Sequence, residues 1–98
     1  MQIHITGHNV EVTPALRTYT TEKLERLKKR GDPITTINVI FDVEKVQQIA
    51  KATLHVSGAD IHAHSESADL YSAIDLLIDK LDHQITKHKE RMKDRRDN

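Results

Sequence analysis

From Leu70 onward, Leu70, Ala73, Ile74, Leu77, Leu81, Ile85, His88 and Met92 recur at three- and four-residue steps. That spacing predicts one amphipathic helix of about seven turns with a single apolar stripe, opened by Ser67 or Asp69 as its cap. A stripe of this length cannot be buried by a short partner. It needs a sheet or further helices laid along it, and in a chain of 98 residues the preceding segments must supply that layer.

They do so by alternation. Gln2 to Thr6 has period two, with Ile3 and Ile5 inward, and Gly7 to Asn9 turn the chain. Thr13 and Pro14 read as N-cap and first position of a helix. Leu16, Thr20, Leu24 and Leu27 form its buried stripe, and Gly31-Asp32-Pro33 stops it. Ile37, Val39, Phe41 and Val43 share one face of a second strand, and residues 45–49 turn. Ala50, Ala52, Leu54 and Val56 mark a third strand. Ser57-Gly58-Ala59-Asp60 reads as a tight hairpin, with Gly58 supplying a positive φ. Ile61, Ala63 and Ser65 mark a fourth strand.

The order β-α-β-β-β-α predicts an α+β fold in a single domain over residues 1–98. A helical crossover makes strands one and two parallel and right-handed, and the remaining strands meander antiparallel. One apolar face per strand places both helices on one side of a four-stranded sheet. His4, Asn38, Asp42, His55, His62 and His64 then face water on the other side. A helix over residues 69–93 spans about 37 Å, against a diameter of about 33 Å for a domain of this size. Its basic end is expected to overhang the core.

Several function classes fall away. With no Cys, a disulfide scaffold, a thiol nucleophile and a cysteine zinc site are excluded. One Phe and two Tyr leave no aromatic platform for stacking bases. No apolar run approaches the ~20 residues of a membrane span, and no signal peptide opens the chain. A cytoplasmic protein with no membrane partner is expected. His62 and His64 share a strand face beside His55, which raises a metal site, but no Cys or His-x-x-x-His pair completes one. HExxH, a phosphate-binding glycine loop and G-x-S-x-G are missing. Asp75 and Asp79 read as solvated helix positions. The reading is no enzyme, no cofactor and no metal.

Net charge is zero, 15 basic against 15 acidic residues, yet the charge is sorted along the chain. Residues 14–30 hold six basic and two acidic side chains, residues 60–79 five acidic and no basic ones, and residues 80–98 seven basic and four acidic ones. Local fields, not the total, decide what binds where. Lys23, Arg26 and Arg30 line the first helix, and Lys80, Gln84, Lys87 and Arg91 line the last, each row beside an apolar stripe. If the helices pack side by side, the rows converge on one groove suited to a phosphate backbone. The ordinary alternative is two solvated faces.

Asp69-Leu70-Tyr71-Ser72-Ala73-Ile74-Asp75, followed by Asp79-Lys80-Leu81, Gln84 and Lys87-His88-Lys89, resembles the signature helix of the ribosome hibernation-promoting factor family. Ile5-Thr6-Gly7 with Asn9 to Thr13, and Ala52 to Val56 with Ile61-His62-Ala63, resemble that family's N-terminus and hairpin. The resemblance implies a fold similar to a double-stranded-RNA-binding domain with an added strand. It implies binding to the small ribosomal subunit and its rRNA in the channel for messenger and transfer RNA. It implies inhibited translation in stationary phase, and inactive ribosome dimers formed with a separate ribosome modulation factor. Lys23, Arg26, Lys80, Lys87 and Lys89 match the family's basic positions. His83 stands where close relatives are expected to carry Arg, a stronger phosphate partner than neutral imidazole. The chain stops within about a turn of its last helix with a short basic tail, which resembles the short, hibernation-promoting subtype. The alternatives are a protein Y-like inhibitor that opposes dimerisation, a general double-stranded-RNA binder, or a histidine-based metal or pH sensor. The acidic stretch is expected to face away from rRNA. His83, next to the Lys80 row, is the expected carrier of any pH response.

Overall fold

The computed structural model describes residues 1–27, 34–56 and 58–96, of which residues 91–96 are described as helix backbone only. The elements run β1 (Gln2–His8), α1 (Pro14–Glu25), β2 (Ile34–Glu44), β3 (Gln47–Val56), β4 (Ala59–Ser67) and α2 (Leu70–Arg96). The sheet order is β1-β2-β3-β4, with β1 parallel to β2 and the other pairs antiparallel. The α+β architecture expected from the apolar pattern is the one observed.

The helices start as their sequences dictate. Thr13 Oγ1 accepts the Leu16 N–H at 3.1 Å, and Pro14, which lacks an N–H to waste, opens α1. Asp69, not Ser67, caps α2: its carboxylate accepts from Ser72 N–H at 2.9 Å and from Ser72 Oγ at 2.8 Å. That N–H donates to the charged form and holds the Asp69 carboxyl below its ordinary value. Helix α1 ends at Glu25, with Arg26 as its C-cap. The stop read at Gly31-Asp32-Pro33 lies outside the described residues.

Each strand is longer than its alternation suggests. Strand β2 begins at Ile34 because a bulge at Thr35 resets the period, so that Ile34 and Ile37 both face the core. Thr35 Oγ1 donates to the His55 carbonyl at 3.1 Å and fixes that irregularity. Parallel pairing carries β1 through Gly7↔Phe41 and His8↔Asp42, into the expected turn. Gly7 is required there by space: a Cβ would run into the Val10 carbonyl oxygen and meet Val12. The turn expected over residues 45–49 shrinks to Lys45 and Val46, with Lys45 at φ 58°. At the next hairpin Val56 pairs directly with Ala59, and Gly58 takes φ 76°, the positive value expected of it.

One core joins the layers. Leu16, Leu24 and Leu27 of the α1 segment, Ile37, Val39 and Phe41 of β2, Leu54 of β3, and Leu77, Leu81 and Ile85 of α2 are buried together. Two polar groups enter it satisfied. Thr20 Oγ1 donates to the Leu16 carbonyl at 2.7 Å, and Ser65 Oγ donates to the Ala73 carbonyl at 2.5 Å, tying β4 to α2. Ile85 is the last buried position among the described side chains, yet α2 runs on to Arg96. The overhang stretches the molecule to 48 × 23 × 17 Å. The core therefore holds the first half of α2 and projects its basic second half.

Candidate nucleic-acid interface

On the water-facing side of the sheet the pairing builds rows. Gln2, Thr36, His55 and Asp60 form one, and His4, Asn38, Thr53 and His62 the next. Thr6, Ile40, Lys51 and His64 follow, then His8, Asp42, Ile49 and Glu66. The expected His4, His55, His62 and His64 face outward here, joined by His8, and three of these histidines have a close polar neighbour. His55 Nδ1 lies 2.6 Å from Asp60 Oδ1, His62 Nδ1 lies 3.0 Å from Thr53 Oγ1, and His8 Nδ1 lies 3.7 Å from Asp42 Oδ2. Among the described residues no three His, Asp or Glu side chains stand close enough to hold a metal ion.

Strand β4 is an edge of the sheet, and α2 lies beside it. Lys80, His83, Gln84 and Lys87 follow i, i+3, i+4, i+7 and so share one flank of α2. Lys80 Nζ donates to the His64 carbonyl at 2.6 Å, covering an edge group that no strand pairs. His62, Ala63 and His64 of β4 with Asp79, Lys80, His83 and Gln84 of α2 line an open groove of about 440 Å³. Side chains from two elements thus bring an ammonium, a carboxamide and three imidazoles to one exposed strip. Asp79 is the opposing charge at its margin.

The two basic rows do not converge as expected. Asp75 lies five residues before Lys80, about 140° around the helix, and there it meets α1. Tyr19 Oη donates to Asp75 Oδ1 at 2.6 Å, and Lys23 Nζ stands 3.5 Å from the same oxygen. The Lys23 ammonium also lies 5.2 Å from the centre of the Tyr19 ring, and Tyr19 packs edge-on against Tyr71 at 5.0 Å. The carboxylate accepting the Tyr19 proton, together with its negative charge, raises the phenol above its ordinary value. Asp75, exposed as expected, thus also clasps the two helices, and Lys23 is charge-paired in the seam between α1 and α2. Packing α2 over β3 and β4 turns its Lys80 flank to the sheet edge and its Asp75 flank to α1, so the rows part.

The remaining candidates spread around these centres. Arg26 is exposed at the end of α1. Lys89 comes about four turns after Asp75, on the α1 side of α2, and Lys87 is exposed on the Lys80 flank. Arg30 and the Arg91 side chain lie outside the described residues. The acidic stretch is also less bare than its composition: Asp60 contacts His55, Asp69 caps α2 and Asp75 holds Tyr19 and Lys23. Among the described residues no helix is long and apolar enough to cross a membrane.

Comparison with known proteins places this geometry. Two relatives named ribosome hibernation promoting factor are each 54% identical to the chain. The one from Klebsiella oxytoca aligns over 95% of this chain and 98% of its own length, and the one from Azotobacter vinelandii over 97% and 89%. Among solved structures, a ribosomal subunit interface protein from Coxiella burnetii superposes with a TM-score of 0.85 at 38% identity, covering 92% of this chain and 99% of that one. The N-terminal domain of Thermus thermophilus Protein Y superposes with a TM-score of 0.82 at 30% identity, covering 90% and 99%. The family model described as sigma 54 modulation protein / S30EA ribosomal protein matches residues 3–93, and the chain belongs to that family.

Proposed function

We propose that this chain is a ribosome hibernation factor. It binds the small ribosomal subunit in the channel for messenger and transfer RNA, stops translation by occupying it, and favours inactive ribosome dimers in stationary phase. The observation that carries this reading is near end-to-end similarity to proteins named ribosome hibernation promoting factor. The fold supports it physically. Helix α2, with Lys80, Gln84 and Lys87 on one flank, offers cations to rRNA phosphates, while the core secures its first half. Arg26, Arg30, Lys89 and Arg91 extend the contact, and Lys23 contributes less because Asp75 holds it. Residues 1–98 act as one ribosome-binding domain in the cytoplasm, by occupancy and without catalysis. Ribosome modulation factor is its functional partner in dimer formation.

A sucrose-gradient profile tests the reading. Purified protein added to ribosomes should travel with the small subunit and with whole ribosomes. A dimer peak should appear when ribosome modulation factor is also present. Protein left at the top of the gradient would refute ribosome binding. Co-migration with suppressed dimers would point to a subtype that opposes dimerisation. Displacement by bare RNA duplex as readily as by ribosomes would reduce the protein to a general RNA binder.

A further inference from the structure

The groove between β4 and α2 brings His83 to His62 and His64, which alternation already places on one strand face. His62 and His64 come from the water-facing side of the sheet, His83 comes from α2, and all three are exposed. Imidazole is the side chain whose ordinary pKa, near 6.5, lies within the range of cellular pH. Lys80 supplies a fixed ammonium at the centre, with one of its donors on the His64 carbonyl and two left for a ligand. Gln84 adds a neutral amide donor. The donors are spread along a strip and are not gathered around a point, which suits an extended anion better than a metal ion. No Phe, Tyr or Trp lines the groove.

We propose that this groove is a proton-linked phosphodiester subsite: His62, His64 and His83 take up protons as an RNA backbone phosphate settles against Lys80. The inference rests on the ribosome-binding reading and deepens it. A phosphate anion brought to neutral imidazoles favours their protonated form, and by linkage proton uptake strengthens the phosphate contact. The neighbouring charges set the balance. On α2, Asp79 competes with phosphate for His83, and Lys80 and Lys87 oppose its protonation. On β3, Lys51 sits opposite His64 in the pairing, and Thr53 holds His62 Nδ1. On β4, Glu66 and Asp60 flank the two histidines, with Asp60 engaged by His55. The phosphate contact strengthens as pH falls.

Binding to small ribosomal subunits, measured by co-sedimentation at fixed ionic strength from about pH 8 to about pH 6, tests this. An imidazole whose pKa rises by one unit on binding contributes roughly a six-fold gain in affinity over that range. Wild type should therefore gain at least several-fold. The triple variant His62→Gln/His64→Gln/His83→Gln should lose most of the gain between about pH 8 and about pH 6. A control variant, His4→Gln/His8→Gln, on the far edge of the sheet, should keep it. His83→Arg should bind tightly across the range. An unchanged response in the triple variant, or loss of the response in the control, overturns the proposal while leaving ribosome binding intact. Absence of sedimentation at every pH overturns the ribosome reading and the proposal together. Inorganic phosphate titrated against the His ring resonances separates the sources. Shifts at His62, His64 and His83 with phosphate, but none with subunits, would make this a free-phosphate site and overturn the RNA assignment.

Discussion

Lys80→Ala deletes an ammonium that leans on a neutral carbonyl, whereas Lys23→Ala deletes one standing 3.5 Å from a carboxylate. The difference has a measurable size. Each phosphate neutralised by a free cation releases counterions and adds about 0.7 to 0.9 to the slope of log affinity against log salt, the lower figure for single strands. Lys80→Ala and Lys87→Ala should each flatten the slope by about that much, and the double variant by about twice it. Lys23→Ala should flatten it by well under half a step, because phosphate must first draw Lys23 from Asp75. Asp75→Asn should steepen the slope, since it removes the competing charge and frees Lys23. Neither α2 lysine enters the core, and without Lys80 the exposed His64 carbonyl turns to water, so melting temperatures should barely move. The assay is affinity for small ribosomal subunits from about 50 to 300 mM potassium chloride, the range over which such contacts weaken steeply. Equal flattening by Lys23→Ala and Lys80→Ala, with no change in Asp75→Asn, would refute the division of the cations into paired and available sets.

Three further outcomes follow from the packing. Ser65→Ala removes a buried donor to the Ala73 carbonyl, and should cost about 1 kcal/mol in urea unfolding with an unchanged denaturant slope. Gly7→Ala forces Val10 to move and should cost about 1–3 kcal/mol by the same measurement, while Gly58→Ala meets no atom and pays only the left-handed φ, about 1–2 kcal/mol. The Asp69 carboxyl is depressed in the folded protein, so its capping contribution is present above the unfolded carboxylate value and is lost as pH falls through the lower folded one; carboxyl carbon resonances followed from neutral to acid pH check this, and Ser72→Ala should return Asp69 toward the ordinary value.

Much of the fold was legible because it rests on short-range periods. The stripe from Leu70 to Ile85 and the alternation of β2, β3 and β4 name most of the buried residues, although Val43 and Ala63 are only half-buried and Ile49, read as turn, is buried; Thr13 and Asp69 mark both helix starts. The strand ends were not legible, since pairing and not propensity extends them. Parallel contact with Asp42 holds His8 in β1, and a bulge at Thr35 hides Ile34 from a period-two reading. The clasp between helices was missed because Tyr19 and Asp75 lie 56 residues apart and each looks like an ordinary surface position. A signal was present: Tyr19 and Lys23 stand at i, i+4 on one helix, and Tyr71 and Asp75 at i, i+4 on the other. Two aromatic-plus-charge pairs at the same spacing fit two helices lying side by side. The histidine groove had no such signal. Periodicity places His83 on a flank of α2 but cannot say that this flank meets β4.

How a chain of zero net charge can seek a polyanion follows from where each charge is spent. Sorting along the sequence is only the first step, since the overhanging end of α2 still carries acids among its bases. The second step is pairing. Asp60 is taken up by His55, Asp69 by the start of α2, and Asp75 by Tyr19 and Lys23. Each pairing lowers the field that a carboxylate projects into solvent. Lys80, by contrast, is held by a carbonyl, which orients it without cancelling its charge. The fold therefore uses its acids to fasten elements to one another and leaves the β4-facing flank of α2 electropositive, although the ledger of residues balances. Asp79 and Glu66 are acids of the 60–79 stretch to which this logic assigns no fastening role, and Asp79 is the one in the groove. It lines the groove among the histidines, where its charge opposes phosphate and, by favouring a protonated His83 in the free protein, reduces the proton uptake left for binding.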